Sequence, residues 1–345
     1  MLMAMLYGAK DLRLERGEDP VVGPGQVKIR FGAGGICGSD LSYYGKGRIG
    51  DFSLMQPLCL GHEVSGEVDE VGAGVTRVKK GDRVAINPNQ PCRVCRTCMA
   101  GKGHICLAMN FYGSAALFPH IQGIFREVIV ATEAQCFVVP QSCDFRTAAM
   151  AEPLAVALHA VRRAGSLVGK RVLVTGVGPI GSLLVLAAKR AGAAHIAVTD
   201  VADAALKRAE KLGVDEAVNA VTAPEKVETW YANKGTFDVS FECSGNATAI
   251  GSAIMATASG GCVVQVGMLG MPTAEIAVNR FVSREVDLLG AFRFDAEYGA
   301  AVYELASEQI DVSSLLTHSY KMSAANDAFL MAADRSQSMK VHLTF

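Results

Sequence analysis

The sequence lacks an apolar run that could cross a membrane, and it lacks a surplus of basic residues. Its longest apolar stretches, such as 183–188, are far shorter than the roughly 20 residues that a transmembrane helix needs. The 33 lysine and arginine residues are balanced by 34 acidic residues, and the sequence pI is about 6.7. Because nucleic acids and anionic membranes attract basic surfaces, this balance argues against either as a partner.

Signals for export and for a disulfide framework are also missing. The segment 1–17 begins apolar but has no basic region before it and no cleavage site, so we interpret it as a first β-strand. We therefore expect a cytoplasmic protein. The chain has ten cysteines, and four of them crowd into 92–106. In a reducing compartment such crowding indicates a metal site rather than disulfides.

The 345 residues are enough for two domains. Up to about residue 140, short strands are separated by glycine-rich turns, a pattern that predicts an all-β barrel or sandwich. After about residue 145, apolar strands alternate with helical segments, which predicts βαβ units and a parallel sheet. Six strand candidates are the number in a complete doubly wound dinucleotide-binding domain. From about Arg293 the pattern is mixed, and we expect the chain to return to the first domain.

The motif GVGPIG follows the apolar strand RVLVT and opens an apolar helix. Gly176 permits a tight turn, Gly178 lets a pyrophosphate approach the backbone, and Gly181 lets helix and strand pack closely. The helix then begins with Pro179 and Ile180, where unpaired N–H groups can bind phosphates. The motif alone is weak evidence for dinucleotide binding, so the residues of the following strand must also be considered.

That next strand ends in Asp200, 19 residues beyond Gly181, where a carboxylate can bind the adenosine ribose hydroxyls. A helix N-cap is the alternative role for Asp200. The same carboxylate would repel a 2′-phosphate, and 201–206 contains no cation to offset it. We therefore predict NAD, while Lys207 and Arg208 keep NADP open.

Four thiols lie within 15 residues, at Cys92, Cys95, Cys98 and Cys106. Zinc favours four soft ligands in a tetrahedron, and short intervening loops keep the closure entropy low. A four-thiolate site has no open position, so its role should be structural. An iron–sulfur site usually ends in Cys-Pro, and a nucleic-acid zinc ribbon should sit in a basic module of its own. We predict a structural zinc.

A second set of candidate ligands is scattered along the chain, at Cys37, His62, Glu63 and Glu152. A thiolate, an imidazole and a carboxylate would leave a fourth zinc position open for water or substrate. Their spacing is not diagnostic, because a lone histidine is more often structural and a lone cysteine is often a small buried side chain.

With these motifs, the chain resembles the medium-chain zinc-dependent dehydrogenases over nearly its full length. The likeness is to the polyol branch and, within it, to the L-idonate 5-dehydrogenases. The matching segments are GGICGSDLSYY (34–44), GRIGDF (47–52), PLCLGHEVSGEV (57–68), the four-cysteine lobe, FYGSAALFPH (111–120), AEPLAVALHA (151–160), GVGPIG (176–181), ECSG (242–245) and GAFRF (290–294).

The resemblance implies an α/β fold with two domains. A GroES-like β-barrel catalytic domain would span 1–152, contain the zinc lobe 92–106 and be completed by 293–345. A six-stranded, doubly wound parallel Rossmann domain that binds NAD would span 153–292. The resemblance also implies two zinc ions per chain and a homo-oligomer, either a dimer or a tetramer.

The same resemblance implies site residues. Cys37, His62 and either Glu63 or Glu152 would hold the catalytic zinc, and Ser39 would be the first proton-relay hydroxyl. Position 42, often histidine in relatives, is Ser42, which cannot store a proton near neutral pH. The proton would then leave through cofactor hydroxyls and water, or by way of Glu152. Further cofactor contacts are implied at Ser244, Val266 and Gly267.

The substrate implied is a sugar acid, L-idonate, oxidised to 5-keto-D-gluconate. Tyr43 and Arg293 resemble positions that touch substrate hydroxyls, and the Arg293 guanidinium could bind a carboxylate bidentately. Ser114 and His120, in the long loop 111–120, are other candidates for the acid end. A polyol such as sorbitol or xylitol, or L-threonine, is the alternative substrate. An alternative function that is not enzymatic is that of a relative that binds the cofactor but has lost catalysis.

Overall fold

The computed structural model describes residues 1–270 and 273–345. Its strands are β1 (Leu2–Gly8), β2 (Asp11–Arg16), β3 (Gln26–Gly35), β4 (Arg48–Ile49), β5 (Phe52–Ser53), β6 (Leu58–Cys59), β7 (Glu63–Val71), β8 (Arg83–Ile86), β9 (Asn89–Gln90), β10 (Asn110–Phe111), β11 (Val128–Thr132), β12 (Cys136–Val139), β13 (Arg171–Thr175), β14 (His195–Asp200), β15 (Glu216–Asn219), β16 (Phe237–Glu242), β17 (Thr257–Gln265), β18 (Asp287–Gly290), β19 (Leu316–Lys321) and β20 (Lys340–Thr344).

The α-helices of the described residues are α1 (Gly38–Lys46), α2 (Arg96–Met99), α3 (Phe145–Ala149), α4 (Ala151–Ala164), α5 (Pro179–Arg190), α6 (Asp203–Lys211), α7 (Pro224–Thr229), α8 (Ala247–Ala256), α9 (Val278–Val282), α10 (Glu297–Ala306) and α11 (Ala325–Ala333). None of these helices combines the length and the apolar character that a bilayer span requires. The chain forms two compact units. The first comprises Met1–Glu152, Tyr298–Asp334 and Lys340–Phe345, and the second comprises Pro153–Glu297 and Arg335–Met339.

The first unit is built on a sheet with the strand order β12-β8-β7-β3-β20-β19, and β11 also pairs with β3. Val27, Ile29 and Phe31 of β3 are buried, while the residues between them are half-buried or exposed. This period of two places one face of the sheet on the core. The three strands β3, β7 and β20 meet where Gly35 pairs with both Glu63 and His342, and the candidate metal ligands lie there.

The second unit contains a six-stranded sheet in the order β15-β14-β13-β16-β17-β18, with every pairing parallel. Numbered from β13, this order is 3-2-1-4-5-6, that of a complete doubly wound dinucleotide-binding domain. Val172, Leu173 and Val174 are each 1% exposed or less, so the central strand is buried on both faces. The predicted fold class is confirmed.

The structure places the return to the first unit at Tyr298 rather than at the predicted Arg293. Glu297 explains the difference. Its carboxylate accepts a hydrogen bond from His159 at 3.1 Å and pairs with Arg162 at 2.6 Å, and both partners lie on α4. Although burial opposes ionisation, the hydrogen bond from His159 contributes to lowering the pKa of Glu297 to about 2. The segment 293–297 is thereby fixed to the second unit.

Candidate functional site

Three of the scattered ligand candidates come together in the first unit. One ligand atom from each of Cys37, His62 and Glu63 lies within 4.8 Å of the other two. Cys37 is the residue that precedes α1, Glu63 is the first residue of β7, and His62 comes directly before it. His62 is 4% exposed and Glu63 is 1% exposed. The cluster offers one sulfur, one imidazole nitrogen and one carboxylate oxygen, which is the donor chemistry of a catalytic zinc site with an open position.

Asp40 supports this cluster and was missed by the sequence analysis. Its buried carboxylate accepts hydrogen bonds from the N–H groups of Cys37, at 3.0 Å, and Gly61, at 3.2 Å. It also lies 3.7 Å from Nδ1 of His62. This distance is too long for a hydrogen bond, so Asp40 acts by holding the backbone at Cys37 and Gly61, next to His62. The available signal was the spacing, because Asp40 is the third residue of α1, as in a capping box.

Lys340 is a second residue that sequence reasoning missed. Its Nζ pairs with Oε2 of Glu63 at 2.5 Å and donates to the carbonyl of Ile36 at 3.3 Å. The side chains of the pair are 2% and 1% exposed. Although burial acts in the opposite direction, the charge of Glu63 raises the pKa of Lys340 above its ordinary value. Each charge would be costly to bury alone, so the pair holds one oxygen of Glu63 in place.

Burial around the cluster disfavours negative charge, and a cation would reverse this effect. Burial raises the pKa of Cys37 to about 12, and the charge of Glu63 adds to the shift. Burial likewise raises the pKa of Glu152 to about 8, while the nearby His62 opposes the shift. Nδ1 of His62 is buried with no hydrogen-bond partner among the described residues. The donor set therefore fits a divalent ion such as zinc, although Glu152 is not in the group of three whose ligand atoms converge.

Three of the residues considered for the proton relay or the substrate lie on α1. The hydroxyl of Ser39 is 3.5 Å from Nε2 of His62. Ser42 instead donates to the carbonyl of Gly38 at 3.0 Å, within its own helix. Tyr43 is 2% exposed, and its hydroxyl accepts the N–H of Ala115 at 3.0 Å. Of these three side chains, Ser39 is the one that lies beside a candidate metal ligand, His62.

The long loop 111–120 uses its histidine to hold its own shape. Nε2 of His120 accepts the N–H of Met55 at 2.9 Å, and Nδ1 donates to the carbonyl of Leu117 at 2.8 Å. Both ring nitrogens are therefore occupied by backbone groups, which argues against His120 as the residue that recognises a substrate carboxylate. The hydroxyl of Ser114 accepts the N–H of Ala116 at 3.2 Å.

The four cysteines of 92–106 also converge, with one sulfur of each within 4.8 Å of the others. Backbone N–H groups point at the sulfurs. Cys92 N–H donates to Cys106 at 3.2 Å, and Cys95 N–H donates to Cys92 at 3.3 Å. All four thiols, Cys98 included, are free of disulfides. Such a set fits a closed tetrahedral zinc site.

In the second unit, the glycine motif makes the turn between β13 and α5. Gly176 has a φ of +82°, which favours glycine. A Cβ on Gly181 would lie 1.9 Å from the carbonyl oxygen of Gly176, so the helix approaches the turn too closely for a side chain. The space beside Gly178 is open, and Pro179 and Ile180 begin α5 there. The turn thus leaves room at the helix N-terminus for a phosphate.

Asp200 lies at the end of β14 and contacts this turn. Its Oδ2 accepts the N–H of Val177 at 2.8 Å, and its Oδ1 accepts the N–H of Ala202 at 3.0 Å. The residue that caps α6 is Ala202, so Asp200 is not its N-cap. Lys207 is exposed, whereas the guanidinium of Arg208 donates to the carbonyls of 335 and 336.

The remaining predicted residues also belong to the second unit. The N–H groups of Val266 and Gly267 both donate to the carbonyl of Glu242 at 2.8 Å. Ser244 lies on the adjacent turn, where a Cβ on Gly176 would approach its backbone nitrogen to 2.8 Å. Arg293 has a φ of +55°, and its guanidinium carbon lies 4.8 Å from the centre of the Phe292 ring.

Comparison with known proteins agrees with this geometry. Residues 23–141 match a family model described as an alcohol dehydrogenase GroES-like domain, and residues 179–308 match one described as a zinc-binding dehydrogenase. L-idonate 5-dehydrogenase (NAD(P)(+)) of Escherichia coli (strain K12) is 41% identical over 317 residues, which are 92% of this chain and 91% of that protein. The sorbitol dehydrogenase of Gallus gallus is 37% identical over 345 residues, or 99% and 96% of the two chains. The crystal structure of the E. coli L-idonate 5-dehydrogenase superposes with a TM-score of 0.92 at 38% identity, covering 100% of this chain and 98% of that one.

Proposed function

Because this chain belongs to the medium-chain zinc-dependent dehydrogenases, we propose that it oxidises a secondary hydroxyl of a sugar acid, L-idonate, to the ketone 5-keto-D-gluconate with NAD as the acceptor. The observation that carries the reaction class is the convergence of Cys37, His62 and Glu63. The likeness to an L-idonate 5-dehydrogenase supports the substrate. The likeness to sorbitol dehydrogenases makes a polyol the second candidate.

We assign Cys37, His62 and Glu63 to the catalytic zinc, with Glu152 beside them as the alternative carboxylate ligand. When bound, zinc would lower the pKa of the substrate hydroxyl, and NAD would accept the hydride. Asp40 holds the backbone at Cys37 and Gly61, and Lys340 restrains one oxygen of Glu63. The four-cysteine lobe would hold the second, structural zinc.

The proton of the substrate hydroxyl needs a route to solvent, and Ser39 is the group that we place first. Its hydroxyl lies beside His62 and can accept one proton while donating another. The hydroxyl of Ser42 donates to the carbonyl of Gly38 in the same helix, so we expect that it does not replace the histidine that relatives often carry at this position. We therefore expect the proton to leave through cofactor hydroxyls and water, or by way of Glu152.

For the cofactor we propose NAD in preference to NADP. Asp200 presents its carboxylate at the glycine turn, where it would repel a 2′-phosphate. Arg208, a candidate to offset that charge, is committed to two backbone carbonyls. Exposed Lys207 is the remaining cation of the pair. Ser244, Val266 and Gly267 complete the cofactor contacts that we propose.

The test of the proposed substrate is a comparison of NAD-dependent turnover. Zinc-loaded protein is mixed with NAD, and reduced nicotinamide is followed by absorbance with L-idonate, D-gluconate, sorbitol, xylitol and L-threonine at matched concentrations. We expect L-idonate to exceed every other substrate by more than about tenfold in kcat/KM, and NAD to exceed NADP. A higher kcat/KM with sorbitol would overturn the substrate and leave the zinc chemistry standing.

Arg293 is the residue that we propose for the carboxylate of the substrate. Replacing Arg293 with leucine removes a bidentate partner, so kcat/KM for L-idonate should fall about ten- to a hundredfold. Arg293→Lys keeps the charge but loses the two-pronged guanidinium, so its kcat/KM for L-idonate should fall less than that of the leucine variant. Sorbitol has no carboxylate and serves as the internal control, with a change of less than about threefold. An equal loss for both substrates would contradict the assignment.

The exposed edge of β18 suggests a second copy of this chain as a partner. In the part of the chain that the structure describes, β18 pairs with β17 alone, and Leu288 and Phe292 nearby are 39% and 45% exposed. An unpaired strand edge with apolar neighbours favours association. We propose a homo-oligomer, a dimer or a tetramer, in the cytoplasm, where ten free cysteines stay reduced.

A further inference from the structure

Three turns meet at one end of the sheet in the second unit. They follow β13, β16 and β17, which are neighbours in the sheet, and they occupy 176–178, 243–246 and 266–268. Dinucleotides bind at the carboxyl ends of the strands in such folds. The half that begins with β13 contains the glycine motif and Asp200, so it receives the adenosine. The half that begins with β16 then receives the nicotinamide nucleotide.

Glu242, the last residue of β16, links these turns through its carboxylate. Oε1 accepts the N–H of Ser244 at 2.7 Å and the N–H of Gly245 at 3.1 Å, and it also accepts the hydroxyl of Ser244. Thr175, at the end of β13, approaches the same oxygen at 3.5 Å. One oxygen thus connects the turn after β16 with the end of β13.

The second oxygen reaches the turn after β17. Oε2 accepts the side-chain N–H of Gln265 at 2.5 Å, and that amide also donates to the carbonyl of Gly267 at 2.7 Å. The backbone carbonyl of Glu242 accepts the N–H groups of Val266 and Gly267 at 2.8 Å. Glu242 therefore holds both the turn after β16 and the turn after β17.

The turns are also packed too closely to move independently. A Cβ on Gly267 would lie 2.3 Å from the nitrogen of Gly245, and a Cβ on Gly176 would lie 2.8 Å from the nitrogen of Ser244. The glycine motif is held in addition by Asp200, which accepts the N–H of Val177 at 2.8 Å, so a displacement of the central turn falls mainly on the turn after β17.

A buried carboxylate at this point requires an explanation beyond packing. Glu242 is 0% exposed, and no lysine or arginine among the described residues forms an ion pair with it. Burying such a group is costly unless hydrogen bonds satisfy it, and here backbone and side-chain donors do so. We propose that Glu242 is a positioning residue, which fixes the turns that contact the nicotinamide half of NAD and thereby determines the affinity for the cofactor.

The variant Glu242→Gln tests this role. Glutamine has the same shape, but its NH2 group cannot accept, so one of the two sets of donors loses its partner. The dissociation constant of NADH, measured by fluorescence titration without substrate, should rise about ten- to a hundredfold. The dissociation constant of AMP, which probes only the adenosine half, should change less than about twofold.

The matched control is Ser240→Ala, two residues earlier on the same strand. Ser240 is fully buried, and its hydroxyl bonds the hydroxyl of Thr257 at 2.7 Å, away from the three turns. All titrations are run at a temperature where thermal melting shows each variant fully folded. The control should bind NADH and AMP like the unmodified protein. Equal weakening of NADH binding in the control would overturn the proposal, because any change to a buried polar group on β16 would then have the same effect.

Gln265→Met provides a second variant in case Glu242→Gln fails to fold. It removes one donor to Glu242 and should raise the dissociation constant of NADH by about threefold or more, with AMP unchanged. Unchanged NADH binding in the folded variants, or equal losses for NADH and AMP, would overturn the proposal. The inference rests on NAD binding and not on the sugar acid, so a wrong substrate would leave the NADH titrations unaffected.

Discussion

Replacing Cys37 with serine is expected to lower kcat/KM for the oxidised substrate by at least about a thousandfold. Loss of the thiolate ligand weakens zinc binding, and zinc contributes several kcal/mol of charge stabilisation in such reactions. The variant should contain about one zinc per chain instead of two, as measured by elemental analysis. Its circular dichroism spectrum should match that of the unmodified protein, since Cys37 only precedes α1.

Cys143→Ser is the control for this experiment. Cys143 lies in the first unit, where it is buried, and it belongs to neither candidate metal cluster of the described residues. It should keep two zinc ions and a kcat/KM within about threefold of the starting value. If Cys37→Ser retained more than a tenth of the activity with one zinc per chain, Cys37 would not be a ligand of the catalytic ion.

Replacing Cys95 with alanine is expected to act on stability rather than on chemistry. A closed four-sulfur site binds zinc in the folded state only, so the free energy of metal binding is also free energy of folding. Losing one of the four sulfurs should lower Tm by at least about 10 °C and reduce the zinc content to about one per chain. The protein that remains folded should keep kcat within about threefold, because such a site has no position for a substrate.

Val94→Ala is the matched control in the same loop. Val94 is 78% exposed, so truncating it should leave both Tm and the zinc content unchanged. Protease digestion provides a second readout, since cleavage within 92–106 should accelerate in Cys95→Ala alone. A Cys95→Ala protein that kept two zinc ions and its Tm would contradict the structural role of the lobe.

Much of the fold could be predicted because its signals are local. The alternation in QVKIRF sets the buried face of β3, and the apolar run RVLVT is typical of a strand buried on both faces. The glycine motif and the four-cysteine lobe are each contiguous, so spacing alone indicates their chemistry. In both cases a short segment contains all the residues that act together.

The parts that could not be predicted depend on distant partners. Lys340 lies 277 residues from Glu63, and no local pattern distinguishes it from a surface lysine. Glu242 has the same difficulty, because its role depends on three turns that only the parallel sheet brings together. The sequence made His120 a candidate for substrate recognition, but both of its ring nitrogens form hydrogen bonds with backbone groups. Such roles depend on burial and hydrogen-bond geometry, which cannot be inferred from the spacing of residues in the sequence.

The most direct test of zinc-dependent sugar-acid oxidation is reversible removal of the catalytic metal. A chelator is used to take the protein from two zinc ions per chain to one, and NADH formation from L-idonate and NAD is followed before and after one equivalent of zinc is returned. We expect activity to disappear with the first ion and to recover with its return. Turnover that continued with one zinc per chain would contradict the account, and so would a fully loaded protein that formed no NADH from L-idonate.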